Sequence, residues 1–209
     1  MITDVHTHRK TQRYAIINAD TDTFLPVENL LYSVGIHPWD IENIDIEKQF
    51  NRVVTIATNC QQVIAIGETG LDSNIKTPLN IQQTIFEKHI ELSELLRKPL
   101  IIHCVRSSNN IVKLHHLHKP KQPWIIHGFR SNSNVLRQFL SEPNIYISTG
   151  EKFNTEALKV IPKERILAET DESLLPIEDI YKILASARGE SVECLYKSIT
   201  QNIYNIFEK

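Results

Sequence analysis

The sequence is poor in the features that mark secreted, membrane-bound or nucleic-acid-coating proteins. Its 209 residues hold three cysteines, Cys60, Cys104 and Cys194, far apart and without a Cys-x-x-Cys pair. That argues against a structural zinc ribbon and for buried, reduced thiols in a cytosolic protein. No positively charged opening leads into an apolar stretch, and no apolar run reaches the length that spans a bilayer. A cytoplasmic protein with no membrane partner is the expectation. Excess positive charge is missing as well: the formal net charge is -2, and there is no recognition-helix motif. A dedicated DNA-coating protein is thereby excluded, though not an enzyme that grips phosphates locally. No repeat, low-complexity segment or domain boundary interrupts the chain. With 41% hydrophobic and 23% charged residues, it reads as one domain over 1–209 with one sizeable core and no obligate protein partner.

What is there begins with Ile2-Thr-Asp-Val-His-Thr-His8, a short strand running into His6 and His8. Alternate strand residues share a side, so both imidazoles can converge on one point. Further strands are expected at Tyr14–Asp20 and Leu30–His37, with only five residues between His8 and the first. That link is too short for the helical crossover a parallel pair normally needs. A first full helix spans Asp45 to Cys60, and a regular alternation follows. Val63–Ile66 is a short strand that breaks into Gly67-Glu68-Thr69-Gly70-Leu71-Asp72. Leu79–Lys98 is a helix with Ile81, Ile85, Phe86, Leu92 and Leu96 turned inward. Strands Leu100–Cys104, Trp124–His127, Ile145–Ser148 and Ile166–Thr170 alternate with helices near 108–116, 134–140 and 155–160. Two helices close the chain, one from Pro176 to Gly189 and one capped by Ser191. Eight mostly apolar strands alternating with helices predict a compact (β/α)8 TIM-like barrel with reduced first and second crossovers.

Polar residues fall at the strand ends: His6 and His8, His37, Glu68, His103, His127 and Asp171. A barrel gathers these ends at one face, the face that carries active sites. Clustering so many ionisable groups is costly unless a cation or mutual pairing compensates. Such a set exceeds the needs of one tetrahedral zinc and suits two divalent ions sharing a carboxylate and a water. The chemistry implied is hydrolysis.

The ordered motifs Asp4-Val-His-Thr-His8, Gly35-Ile-His-Pro-Trp39, Ile66-Gly-Glu-Thr-Gly-Leu-Asp72, Ile101-Ile-His103, His127-Gly-Phe129 and Leu167-Ala-Glu-Thr-Asp171 together resemble the TatD family. Those are metal-dependent hydrolases on a (β/α)8 barrel, many of them deoxyribonucleases. The resemblance runs from residue 1 to the C-terminus and includes Arg188-Gly-Glu-Ser191. It implies that His6, His8, Glu68 and Asp171 bind one ion and that Glu68, His103 and His127 bind the other, with Glu68 bridging. The ions would be Mg, Mn or Zn. Asp171 would orient the attacking water or take its proton, and His37 would face the scissile group from outside the ligand set. Glu169 would hold a ligand or backbone in place, or form a structural salt bridge. The sequence departs from the family at Arg9-Lys10, Gly128-Phe129-Arg130 and Glu172-Ser173, all at the mouth of the site. The substrate is therefore left more open than the reaction.

Arg9, Arg106, Arg130 and Lys152 each lie just past a strand end and are expected to ring the site with positive charge. Such a ring suits a phosphodiester, with Trp39 or Phe129 to stack a base. Metal-dependent cleavage of DNA or another phosphodiester is the leading reading. The alternatives are hydrolysis of a non-nucleic-acid ester or amide and a non-catalytic, metal-stabilised scaffold.

Overall fold

The computed structural model describes residues 1–207, so the last two positions of the expected 1–209 domain lie outside the described residues. Eight parallel strands, β1 (Asp4–Thr7), β2 (Ala15–Asn18), β3 (Leu31–Val34), β4 (Val63–Asp72), β5 (Leu100–Val105), β6 (Trp124–Ile126), β7 (Ile145–Thr149) and β8 (Ile166–Ala168), pair in sequence order. The helices are α1 (Ile46–Asn59), α2 (Leu79–Leu96), α3 (Ser108–His118), α4 (Ser133–Leu140), α5 (Thr155–Val160), α6 (Ile177–Arg188) and α7 (Val192–Phe207). This is the expected barrel. Leu100, Ile101 and Ile102 are wholly buried, as are Trp124 and Ile125, because helices cover one face of these strands and the barrel core the other.

Closure is made by residues at the edge of the site. Asp171 N–H donates to His6 O at 2.9 Å, and His8 N–H donates to Asp171 O at 3.1 Å. Behind this seam Asp4 is fully buried, accepting from Thr170 Oγ1 at 2.7 Å and from Thr170 N–H at 3.0 Å. The first two crossovers carry no helix. Tyr14 and Asn29, both left-handed at φ 61 and 63, turn the chain into β2 and β3 instead.

Two sequence expectations need correction. β4 does not break after Ile66 but runs on to Asp72, carrying Glu68 inside the strand. Glycine permits this: a Cβ at Gly67 would lie 2.4 Å from Ile101 O, and one at Gly70 only 2.0 Å from His103 O. On α2, Ile81 faces solvent and Leu96 is half-buried, while Gln82 and His89 hold the inward stripe. Both polar residues are buried with partners. Gln82 clamps the end of β4, accepting from Asp72 N–H and donating to Asp72 O. His89 Nδ1 donates to Ile85 O at 2.8 Å, and its Nε2 accepts from Ile36 N–H at 3.1 Å. α6 does end at Gly189, which is left-handed at φ 73, and Ser191 Oγ does accept from Cys194 N–H in the first turn of α7.

Burial pushes the His89 imidazole down to about 4. Between that value and an ordinary histidine value of about 6.5, only the unfolded chain takes up the proton, so stability is full above the upper limit and falls towards the lower. Replacing His89 with Gln should remove about 3 kcal/mol of that pH-dependent loss. Chemical denaturation at pH 7 and at pH 4.5 measures it; parallel pH profiles for wild type and variant would contradict it.

Candidate metal centre

The two carboxylate oxygens of Glu68 divide the histidines between them. Oε1 lies 2.7 Å from His127 Nε2, 3.0 Å from His103 Nδ1 and 3.1 Å from His37 Nε2. Oε2 lies 3.2 Å from His6 Nε2 and 3.5 Å from His8 Nε2. Asp171 Oδ1 sits 3.8 Å from His6 Nε2 and 3.6 Å from His8 Nε2. Every strand-end residue singled out in the sequence thus reaches one cluster.

Three groupings place their ligand atoms within 4.8 Å of one another: His6, His8 and Glu68; His6, His127 and Asp171; and His37, Glu68 and His103. The donors suit a divalent ion, and His6 gives a physical reason. It is fully buried, yet neither ring nitrogen has a hydrogen-bond partner among the described residues. Buried nitrogens are rarely left so, and a cation would satisfy Nε2.

Carboxylates stand behind two of the rings. His103 Nε2 is 3.3 Å from Asp72 Oδ2, and a carboxylate only accepts, so Asp72 can hold the Nε2 proton and leave Nδ1, which lies 3.0 Å from Glu68 Oε1, free for a cation. His127 Nδ1 is 3.5 Å from Glu169 Oε1, an ion-pair contact, and its Nε2 lies 2.7 Å from Glu68 Oε1. His37 differs. Its Nδ1 accepts from Trp39 N–H at 3.1 Å, so Nε2 carries the proton and donates to Glu68. That disposition suits a hydrogen-bond donor rather than a ligand.

The charges are strongly coupled. Burial would raise Glu68, but His127 and hydrogen bonds from His103, His127 and His37 hold it well below the usual carboxylate range. Burial would lower His127, but Glu68 and Glu169 carry it well above an ordinary histidine. Glu169 also accepts from Gly128 N–H at 2.5 Å, fixing the turn after His127. His8 is raised by its bond to Glu68, and Asp171 is raised by burial and by Glu169.

Three contributors escaped the sequence reading: Asn18, Asp72 and Asp4. Asn18 ends β2 and accepts from Glu68 N–H at 3.1 Å; the strand-end rule would have found it. Asp72 shares the Glu68 face of β4, a link hidden by the expectation that the strand stops earlier. Asp4 sits inside an apolar strand and had no visible partner.

A cavity of about 1170 Å³ opens above the cluster. Arg130 and Lys152 line it, as does Trp39, but the expected ring of charge is incomplete. Arg9 is occupied by the carbonyls of Ser173 and Leu175. Arg106 is exposed, left-handed at φ 49, and absent from the cavity wall. Phe129 is no stacking platform, being buried against Phe139. Cys104 lines the cavity, but burial pushes its thiol up to about 12, too high for a nucleophile. Cys194 is exposed, against the expectation of buried thiols.

Comparison with known proteins follows the same line. The family model described as TatD related DNase matches residues 11–208, a span that leaves out His6 and His8. An uncharacterized metal-dependent hydrolase of Buchnera aphidicola subsp. Baizongia pistaciae is 30% identical over 202 residues, covering 86% of this chain and 74% of that one. The human 3'-5' RNA nuclease TATDN2 is 34% identical over 123 residues, covering 53% of this chain and 16% of its own. Among solved structures, the TatD homologue YjjV from Escherichia coli K12 superposes with a TM-score of 0.87 at 18% identity, covering 100% of this chain and 98% of its own.

Because imidazole must be neutral to bind a cation, loading the centre should displace the proton His127 holds at pH 7. Calorimetric titration with Mn²⁺ in buffers of different ionisation enthalpy should show about one proton or more released. The release should shrink as pH rises through the raised His127 range. Binding without proton release would contradict this electrostatic account.

Proposed function

Because the chain belongs to the TatD related DNase family, we propose that this metal-dependent hydrolase is a phosphodiesterase that cleaves DNA and acts as a single domain. The observation that carries this reading is the division of histidines around the two oxygens of Glu68. His6, His8, Glu68 and Asp171 would hold one divalent ion, and Glu68, His103 and His127 would hold the other. The chemistry such ions supply is Lewis acidity, which makes water nucleophilic near neutral pH and offsets charge on the leaving oxygen.

The chain's own residues do the rest. Asp171, half-exposed on the cavity wall with its carboxyl raised, takes the proton of the attacking water. His37 points its one N–H at the cluster, and with Glu68 taken up by cations it would be released to donate to a phosphate oxygen. Asp72 and Glu169, standing behind His103 and His127, would hold the outer ring proton when the inner nitrogen takes a cation. Arg130 and Lys152 bind the phosphodiester, a role in which Arg106, away from the wall, has no part. Free cysteines accord with the reducing cytoplasm we assign to the protein. Among the described residues no helix is long and apolar enough to cross a membrane.

Asp20, Asp40 and Glu151 also line the cavity. These acids disfavour a long polyanion and support a second reading, hydrolysis of a small ester or amide.

Chelator-stripped protein should cleave end-labelled single-stranded DNA once Mg²⁺, Mn²⁺ or Zn²⁺ is restored, and His103→Ala should abolish cleavage. Asp171→Asn should lower kcat by about 10²- to 10⁴-fold. Metal binding without cleavage of any strand would overturn the nuclease and leave the small-ester reading.

A further inference from the structure

Trp39 is 59% exposed on the cavity wall, while the other tryptophan, Trp124, is wholly buried. An indole of this size is normally covered, and here it is held in place yet left open. Its Nε1–H donates to Asp72 Oδ2 at 2.8 Å. Its ring stands edge-on to His37, with centroids 5.0 Å apart and planes at 86°. Its backbone N–H bonds His37 Nδ1, and Pro38 starts the 3-10 turn Pro38–Asn43 that carries it. A ring already fixed in one rotamer loses little entropy when a ligand covers it.

Asp72 serves the metal centre and the indole together. The oxygen that accepts from Trp39 also lies 3.3 Å from His103 Nε2. The ring therefore stands at a set place relative to the reacting group. Round the barrel mouth, Trp39 follows β3, whereas Arg130 and Lys152 follow β6 and β7, on the far arc. Positive charge and flat apolar surface thus flank the Glu68 cluster from different sides. A ligand spanning both needs an anionic group at the centre and a planar group beside it.

We propose that Trp39 is a stacking platform for an unpaired nucleobase whose adjoining phosphate lies at the Glu68 cluster. This rests on the nuclease reading and assigns its base contact to one side chain. In a duplex both faces of each base are already covered by neighbours, whereas an unpaired base offers a free face of any sequence. Asp72 acts as a positioning residue for this platform.

Two tryptophans in the chain make the test direct, since only Trp39 meets solvent. The whole protein is titrated, with fluorescence recorded, against phosphorothioate-linked tetrathymidylate and against an abasic strand of equal length and charge. Saturable quenching by the first and none by the second is expected, with the quench lost in Trp39→Leu. The same substitution should raise KM for base-bearing single strands, relative to abasic ones, by about five- to a hundredfold. Equal quenching by the abasic strand, or an unchanged KM ratio, would overturn the platform. If no strand is cleaved, the nuclease reading falls, and the quench alone then upholds or overturns the platform.

Discussion

The structure depends on keeping one buried carboxylate ionised. Glu68 is almost fully buried in the middle of β4, where an isolated charge would be prohibitive. Five histidines from four strand ends surround it at 2.7 to 3.5 Å, three on one oxygen and two on the other. Asn18 adds a backbone clamp from β2. This arrangement is affordable only if positive charge is shared across the cluster, by protonated imidazole in the free protein and by cations in the loaded one. The geometry is thus equally an ion-pair network and a metal cradle, and the orphaned nitrogens of His6 tip the balance towards the cradle.

The barrel delivers that geometry through two local devices. Glycines at 67 and 70 let β4 lie against the β5 backbone more closely than any side chain allows, bringing Glu68 to His103. At the closing seam, Asp4 and Thr170 tie β1 to β8, so His6, His8 and Asp171 meet across the junction. The missing helices of the first two crossovers leave the β2–β3 side of the mouth to irregular loops. Asp20, in the second of these loops, lines the cavity, as do Trp39 and Asp40 just past β3.

Much of this was legible in the sequence because each signal is local. Apolar runs gave the strands, and the polar residue closing each run gave the members of the cluster. What stayed hidden depends on neighbours distant in sequence. Ile81 looks like a core residue until Gln82 and His89 find backbone partners on β4 and beside His37. Asp72 has a role only because β4 continues past Glu68, a property of its packing against β5. Arg9 and Arg106 sit in the right places along the chain, yet one is engaged by carbonyls and the other lies off the wall. Side-chain direction beyond a strand end cannot be read from spacing.

The central proposal is that Glu68 would be shared between two cations rather than spent on histidine ion pairs. Metal content after equilibrium dialysis against Mn²⁺, compared between wild type and Glu68→Gln, tests it most directly. The account predicts about two ions per wild-type chain and loss of tight binding at both positions in the variant. A wild-type chain that retains no ion, or a variant that keeps the full complement, would contradict it.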